Sequence, residues 1–227
     1  NPAEGGTTAG AGAYHAGATA TVTATPAAGY SFKEGKEGSA TVSTSNPYTL
    51  QVNSDISLKA EFEPAEYQIN ATSSPTSGGS VTGAGTYTHG TSVTLAATPS
   101  SGYSFVNWTE GGTQVSANST YTFTAESNRD LVANFSLVSY SVSTSSLPAG
   151  GGTTSGGGSY NYGESATVTA TPSTGYRFVN WTAGGTAVST NASYTFTVTA
   201  NRTLVANFTT LTYTITASTS PAGVGSA

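Results

Sequence analysis

Hydrophobic and polar residues alternate along most of this chain with a period of two. In residues 165–172 (SATVTATP), Ala166, Val168 and Ala170 fall on one face and threonines fall on the other. Residues 193–200 (SYTFTVTA) repeat the pattern with more aromatic side chains. Such alternation is typical of half-buried β-strands, and the chain has no stretch of about 10–12 residues with a helical period. The sequence therefore predicts an all-β or β-rich fold.

The alternating segments recur in three copies that are spaced by 73 residues. Gly29, Gly102 and Gly175 each open a Gly-Tyr-x-Phe motif, and neighbouring motifs are 73 positions apart. The same offset links five further sets: Tyr14, Tyr87 and Tyr160; Pro26, Pro99 and Pro172; Tyr48, Tyr121 and Tyr194; Phe62, Phe135 and Phe208; Tyr67, Tyr140 and Tyr213. A fixed period without insertions predicts tandem modules of one fold.

The module boundaries follow from this period. We predict module 1 over residues 1–64 without its first strand, module 2 over 66–137 and module 3 over 139–210. Only four residues (SLVS) separate Phe135 from Tyr140, which is too short for a flexible Gly/Ser tether. We therefore expect the modules to form an elongated rod.

Aromatic side chains are the predicted core, because the chain is poor in Leu and Ile and has no Met. Both tryptophans lie in near-identical stretches, GYSFVNWTEGG and GYRFVNWTAGG, whereas module 1 has Gly35 at that position. A core residue can be lost where packing compensates, so we interpret both indoles as structural. The predicted core of modules 2 and 3 is Tyr103, Phe105, Trp108, Tyr121, Phe123, Phe135, Tyr176, Phe178, Trp181, Tyr194, Phe196 and Phe208.

The set of motifs resembles the divergent internalin-B-type repeat of bacterial surface proteins. The shared features are Gly-Tyr-x-Phe-x-x-Trp, a Gly-Gly turn, a Tyr-Thr-Phe strand and a terminal LVANF. The resemblance implies β-grasp-like modules in tandem that act as spacers or adhesin stalks on secreted or cell-surface proteins. Small immunoglobulin-like β-sandwich modules are the alternative fold.

Residues 211–227 match the opening strand of a module. One interpretation is that the sequence is a segment of a longer array of repeats. The other is strand exchange, in which Tyr213, Thr214, Ile215, Thr216 and Ala217 complete residues 1–64 of another subunit. The expected partners are other copies of the chain, or further repeats of it, arranged head to tail.

Composition limits the chemistry that the chain can perform. Charged residues make up 7% of the chain, Cys is absent and the net charge is −5, which argues against nucleic acid as a partner. His15, His89, Asp55 and Asp130 stand at unrelated positions of the repeat, so we expect no enzyme activity, no metal site and no cofactor. No apolar run is long enough for a membrane span, and we expect an extracellular or cell-surface location.

Carbohydrate binding is the alternative function. Trp108 and Trp181 would form platforms for sugar rings, and the neighbouring Asn107 and Asn180 would bind sugar hydroxyls. Surface polysaccharide would then be the partner.

Overall fold

The computed structural model describes residues 5–217 and confirms the all-β prediction. By contacts between Cα atoms the chain divides into two compact units, residues 1–136 and 137–227. The helical elements among residues 5–217 are two single turns of 3₁₀ helix, Thr76–Gly78 and Ala149–Gly151. None of the helices in this part of the chain is long and apolar enough to cross a membrane.

The first unit holds modules 1 and 2. The strands of module 1 are β1 (Gly6–Ala9), β2 (Ala18–Pro26), β3 (Tyr30–Glu37), β4 (Ala40–Ser43), β5 (Tyr48–Val52) and β6 (Leu58–Pro64). The strands of module 2 are β7 (Glu66–Ser74), β8 (Gly79–Thr82), β9 (Gly85–Thr88), β10 (Ser92–Pro99), β11 (Tyr103–Glu110), β12 (Thr113–Ser116), β13 (Thr120–Thr124) and β14 (Arg129–Leu137).

The second unit holds module 3, whose strands repeat those of module 2. They are β15 (Ser139–Leu147), β16 (Gly152–Ser155), β17 (Gly158–Asn161), β18 (Ser165–Pro172), β19 (Tyr176–Ala183), β20 (Thr186–Ser189), β21 (Ser193–Thr197) and β22 (Arg202–Thr210). The alternating segments of the sequence are thus β-strands.

Modules 2 and 3 each contain a five-stranded and a three-stranded sheet. In module 2 the strand orders are β12-β11-β14-β7-β9 and β13-β10-β8. In module 3 they are β17-β15-β22-β19-β20 and β16-β18-β21, which is the same arrangement. The first and last strands of each module pair in parallel, with Ile69 opposite Arg129 and Val142 opposite Arg202. All other strand pairs in these two modules with a described register are antiparallel.

Module 1 has two three-stranded sheets, with orders β1-β2-β5 and β4-β3-β6. Within residues 5–64 it lacks counterparts of β7 and β9, the two strands that complete the larger sheet of module 2. Residues 12–15, which correspond to β9, have no strand partner here and are not a strand. As a result β6 lies at the edge of its sheet, whereas β14 and β22 are interior strands.

The core of each complete module lies between its two sheets. In module 3 the residues predicted to point inward, Ala166, Val168 and Ala170, are at most 4% exposed. They meet Leu204 and Ala206 of β22, which are also buried. Their equivalents in module 2, Val93, Leu95, Ala97, Leu131 and Ala133, are buried as well, together with Ile69 and Ala125. Period-two alternation therefore identified the buried face of these strands correctly.

A β-bulge explains the three-residue spacing of Phe and Trp in Gly-Tyr-x-Phe-x-x-Trp. In a regular strand Phe178 and Trp181 would point to opposite faces of the sheet. The pairing of β19 with β22 shifts by one residue between Phe178 and Asn180. Both aromatic side chains consequently face the core, and Val179 between them is left 38% exposed.

The last residue of the 3₁₀ turn and the residue after it are glycines, which allow close approach of a ring. An added Cβ would lie 2.8 Å from Phe208 Cβ at Gly151 and 2.5 Å from Phe208 Cζ at Gly152. Gly78 and Gly79 meet Phe135 in the same way. Any side chain at these positions would displace the ring that closes this end of the core.

Candidate functional site

The two tryptophans occupy the centres of modules 2 and 3. Trp108 and Trp181 are both 0% exposed. Trp181 Nε1 donates to the Ala192 carbonyl at 3.1 Å, and Trp108 Nε1 donates to the Ser119 carbonyl at 3.2 Å. A sugar platform needs an exposed aromatic face, and neither indole presents one.

The other predicted core aromatics surround these indoles. Phe135 and Phe208 are each 6% exposed, and the remaining eight are half-buried and pack against the core clusters. The Phe178 ring lies 6.0 Å from the Trp181 ring and 5.9 Å from the Phe208 ring, as centroid distances. These edge and tilted contacts are the geometries that aromatic pairs prefer.

The asparagines proposed as sugar contacts are bonded within the protein. Asn207 Nδ2 donates to Asn180 Oδ1 at 2.8 Å and to Thr182 Oγ1 at 3.1 Å. Module 2 repeats the arrangement: Asn134 Nδ2 donates to Asn107 Oδ1 at 2.8 Å and to Thr109 Oγ1 at 3.0 Å. We call this set of two asparagines and a threonine the Asn-Asn-Thr triad.

Module 1 replaces the whole triad with charged residues. Glu34, Lys36 and Glu61 stand where the other modules have Asn, Thr and Asn. Lys36 Nζ lies 2.8 Å from Glu61 Oε2 and 3.1 Å from Glu34 Oε1. Sequence reasoning missed this cluster, although the joint exchange of three positions that share the 73-residue period was a readable signal.

The carboxylates of this cluster have lowered pKa values. The hydrogen bond from Lys36, followed by that from Lys59, lowers the pKa of Glu61 to about 2 from its ordinary 4.5. The pKa of Glu34 is lowered by its hydrogen bond from Thr41 and then by the one from Lys36. The same contacts with Glu61 and Glu34 raise the pKa of Lys36. Each shift favours the charged form, so the cluster stabilises module 1 while all three groups are ionised.

We expect Glu61 to titrate near pH 2 and module 1 to lose stability as pH falls. A carboxylate with a lowered folded-state pKa stabilises the fold fully above its ordinary value of 4.5, and this contribution disappears as pH falls through about 2. Carboxyl ¹³C NMR of the chain would measure the pKa directly. In Lys36→Met it should move back toward 4.5, because the largest cause of the shift is gone.

Lys33→Met is the matched control for this titration. Lys33 pairs with Glu63 at 3.7 Å across an exposed surface and makes no described contact with Glu61. The pKa of Glu61 should therefore stay low in this variant. An unchanged Glu61 pKa in Lys36→Met would contradict the assignment.

An arginine closes the edge of the core in both complete modules. Arg129 binds Glu110 through Nη2 at 2.6 Å and lies 4.3 Å above the Phe123 ring centroid. The hydrogen bond from Arg129 lowers the pKa of Glu110. Arg202 likewise lies 4.5 Å above the Phe196 ring, although Ala183 stands where module 2 has Glu110. The stacking contact is common to both modules, whereas the ion pair is particular to module 2.

The residues considered for catalysis are placed separately. His89 packs edge-on against Tyr67, with ring centroids 5.9 Å apart, and Asp130 accepts a hydrogen bond from Asn70 Nδ2 at 2.8 Å. His15 and Asp55 lie in module 1 and share no described contact. Residues 5–217 contain no group of three or more His, Cys, Asp or Glu side chains suited to hold a metal ion.

Module 1 carries an apolar groove where modules 2 and 3 are closed. The groove has a volume of about 480 Å³ and lies between the two sheets, with Val22 and Leu50 of one sheet and Phe32 and Leu58 of the other in its lining. Gly35, at the position of the two tryptophans, also lines it. The groove therefore exposes the surface that would be the core of a complete module.

The predicted joining strand lies beyond module 3. Residues 211–217 form no strand, and Tyr213 and Ile215 are 85% and 94% exposed. Leu211 N donates to the Gly175 carbonyl at 2.8 Å, which holds the start of the segment on module 3. The remainder of the predicted segment, 218–227, and residues 1–4 of module 1 lie outside the described residues.

The modules define a class of small two-sheet repeat domains with a buried aromatic centre. A family model for the divergent InlB B-repeat domain matches residues 1–66, 69–139 and 142–212. The chain belongs to this family, whose domains are typically associated with bacterial surfaces. A search of curated proteins found no match.

Proposed function

We propose that the chain is a structural repeat segment of a bacterial extracellular protein, the stalk of an adhesin or the shaft of a filament, without catalytic activity. The observation that carries this proposal is the repeated inward packing of the aromatic centre. In modules 2 and 3 the indole is buried and its polar atom is bonded to the backbone. The residues that distinguish the repeat are used for packing. What the repeat conserves from copy to copy is therefore a folded module and not a binding surface.

The outer face of the smaller sheet supports this role. Cross-strand threonine pairs recur in all three modules, at 3.3 Å between Thr21 and Thr49 and at 2.8 Å between Thr167 and Thr195. The Oγ1 atoms of Thr94 and Thr122 lie 3.0 Å apart at the equivalent position. These exposed hydroxyls bond to each other across the strands, which gives a hydroxyl-rich surface with few charges.

The connectors between modules are held by backbone hydrogen bonds. Ala65 N donates to the Gly29 carbonyl at 2.8 Å, and His89 N donates to the Ala65 carbonyl at 2.7 Å. Val138 accepts an equivalent bond from Tyr162 N at 2.9 Å. A connector bonded in this way transmits tension to the adjacent sheets, as a stalk requires.

The proposal predicts that function depends on the distance to which the chain projects its outer end, which we call its reach. It predicts no dependence on a particular surface residue. We would display the chain on bacteria with an epitope at its outer end and remove residues 66–138, one complete 73-residue period. Access of a large antibody to the epitope should decrease in the deletion and increase when the period is duplicated. Deletion and duplication keep the sequence spacing at the junction, which makes them a matched pair.

Two results would contradict the stalk proposal. One is equal epitope access in the deletion, the parent and the duplication. The other is unchanged access together with loss of polysaccharide binding in the deletion, which would favour the carbohydrate-binding alternative.

A further inference from the structure

The first and last strands of each complete module lie side by side inside its larger sheet. In module 3, β15 begins directly after the connector residue Val138, and β22 ends directly before the connector residue Leu211. Tension along the chain therefore pulls on the start of β15 and on the end of β22. Because these strands run parallel, the two forces act at opposite ends of one strand pair and in opposite directions along it.

The parallel pairing of β15 with β22 is loaded in shear by this geometry. Six positions of β15, from Val142 to Leu147, are in register with six positions of β22. Force along the strands is shared by all the bonds between these positions, so the bonds must break together. Module 2 has the same arrangement, in which six positions of β7, from Ile69 to Ser74, are in register with β14. A strand pair opened from one end would instead lose its bonds one after another, at a lower force.

An asparagine side chain lengthens the parallel pairing at the end where the first strand is pulled. Asn201 lies just before β22, and its Oδ1 accepts a hydrogen bond from Ser141 N at 2.9 Å. At the equivalent position of module 2, Asn128 Oδ1 accepts from Gln68 N at 2.8 Å. In both modules this donor precedes the first backbone register pair by one residue. The amide thus adds a bond at the point where rupture would begin.

A second side-chain bond crosses the strand pair at the second position of the register. Ser143 Oγ of β15 donates to Thr203 Oγ1 of β22 at 3.1 Å. The equivalent residues of module 2 are Asn70 and Asp130, and Asn70 Nδ2 donates to Asp130 Oδ1 at 2.8 Å. Both members of the pair differ between the modules, yet each module has a bond here. The two modules therefore share the bond across the strands and not a particular residue type.

An apolar side chain prevents the first strand from sliding along the last. Val142 and its equivalent Ile69 are 3% and 0% exposed. A slip of one residue would turn this side chain out of the core. A slip of two residues would put Thr144 in the place of Val142, or Ala71 in the place of Ile69, which buries a hydroxyl or leaves a cavity. The strand pair has no alternative register and has to separate as a whole.

We infer that the first and last strands of each complete module form a mechanical clamp, which keeps the module folded when the chain is pulled through its connectors. The backbone ladder, the asparagine bond and the bond at the second register position act together in this clamp. The inference goes beyond the proposed function, since it concerns the load that one module bears. The two can fail separately, because reach depends on the number of periods, whereas the clamp makes resistance depend on the direction of pulling.

The test is the direction of pulling, measured on single molecules of the 227-residue chain with optical tweezers. The chain has no Cys, so handles can be attached through two engineered cysteines at exposed positions. Handles at Ser139→Cys and Thr210→Cys load the clamp in shear, whereas handles at Ser139→Cys and Ala200→Cys open the same strand pair from one end. At equal loading rate the rupture force should be at least about twofold higher in shear, because six register positions break together and not in sequence.

The length released on rupture assigns each event to module 3. Unfolding of the segment between the shear handles should release about 200–230 Å, from the extended length per residue less the folded separation of the handles. Only module 3 lies between the handles, so modules 1 and 2 do not contribute to this length.

The contribution of Asn201 is tested by substitution in the shear geometry. At constant force, Asn201→Ala should shorten the lifetime of folded module 3 about threefold to tenfold, as expected for the loss of one hydrogen bond that breaks at rupture. Asn201→Asp keeps an oxygen acceptor and should retain most of the lifetime. Asn191→Ala is the matched control, because Asn191 is exposed and its side chain makes no described bond. It should change the lifetime by no more than about twofold.

The inference has two parts, and each has an outcome that overturns it. Equal rupture forces in the two pulling geometries would show that the parallel strand pair does not carry the load. Equal lifetimes of Asn201→Ala and Asn191→Ala would show that the asparagine bond is not part of the clamp.

Discussion

Replacing Trp181 with alanine should lower the free energy of unfolding of module 3 by about 3–5 kcal/mol. The indole is 0% exposed and lies between the two sheets, so its removal leaves a cavity lined by Phe178 and the aliphatic core. The hydrogen bond contributes less to this loss. The Ala192 carbonyl that accepts from Trp181 also accepts from Ala170 N at 3.0 Å and so keeps a donor.

Urea unfolding followed by methyl NMR of Val168 and Leu204 would measure this loss in module 3 alone. A site-resolved signal is needed because a chain of several modules does not unfold in one two-state step. The matched control is Val179→Ala, two residues away on the exposed face, which should cost no more than about 0.5 kcal/mol. Similar losses in the two variants would show that the indole is not the centre of the core.

Replacing Gly156 with alanine should destabilise module 3 by more than about 3 kcal/mol. Gly156 has a φ of +85°, and a Cβ added there would lie 2.0 Å from the Thr167 carbonyl oxygen. The obstructing atom belongs to the backbone of β18, so it cannot move without breaking the pairing of β16 with β18. The cost therefore combines a left-handed backbone conformation with a displaced strand.

Gly163→Ala separates the two contributions to this cost. Gly163 has nearly the same φ, +84°, but nothing lies within 4 Å of an added Cβ. It should cost only about 1–2 kcal/mol, the usual cost of the left-handed conformation. Unfolding followed by the Val168 methyl would compare the variants. If Gly156→Ala lost no more stability than Gly163→Ala, the close approach to β18 would be wrong.

The strands and their buried faces were predictable because both depend on local sequence. The spacing of Ala166, Val168 and Ala170 is enough to assign one face of β18. The limit of β21 was less predictable: the alternating pattern continues to Ala200, but the strand ends at Thr197. Val198 is still buried, and its N–H donates to the Glu164 carbonyl at 2.8 Å.

Pairing between distant strands left no local signal. Val142 and Arg202 are 60 residues apart, and alternation shows which face of each strand is buried but not which strand lies beside it. The bulge at Phe178 could not be predicted for a related reason. The three-residue spacing of Phe178 and Trp181 contradicts a period of two, and only the pairing with β22 shows that a bulge accounts for it. The 73-residue period predicted that module 1 lacks its first strand. The groove itself could not be predicted, because it depends on which strands lie beside each other.

The connectors have a consequence for how such a chain evolves. Ala65, Val138 and Leu211 occupy the same position of the repeat, and the described bonds at this position use backbone atoms alone. Recombination between copies of the repeated DNA can therefore add or remove whole 73-residue periods without a compensating substitution at the junction. Gains or losses of an odd number of residues within a strand would shift the alternation and turn apolar side chains outward. Selection would therefore retain changes in copy number and discard such partial ones.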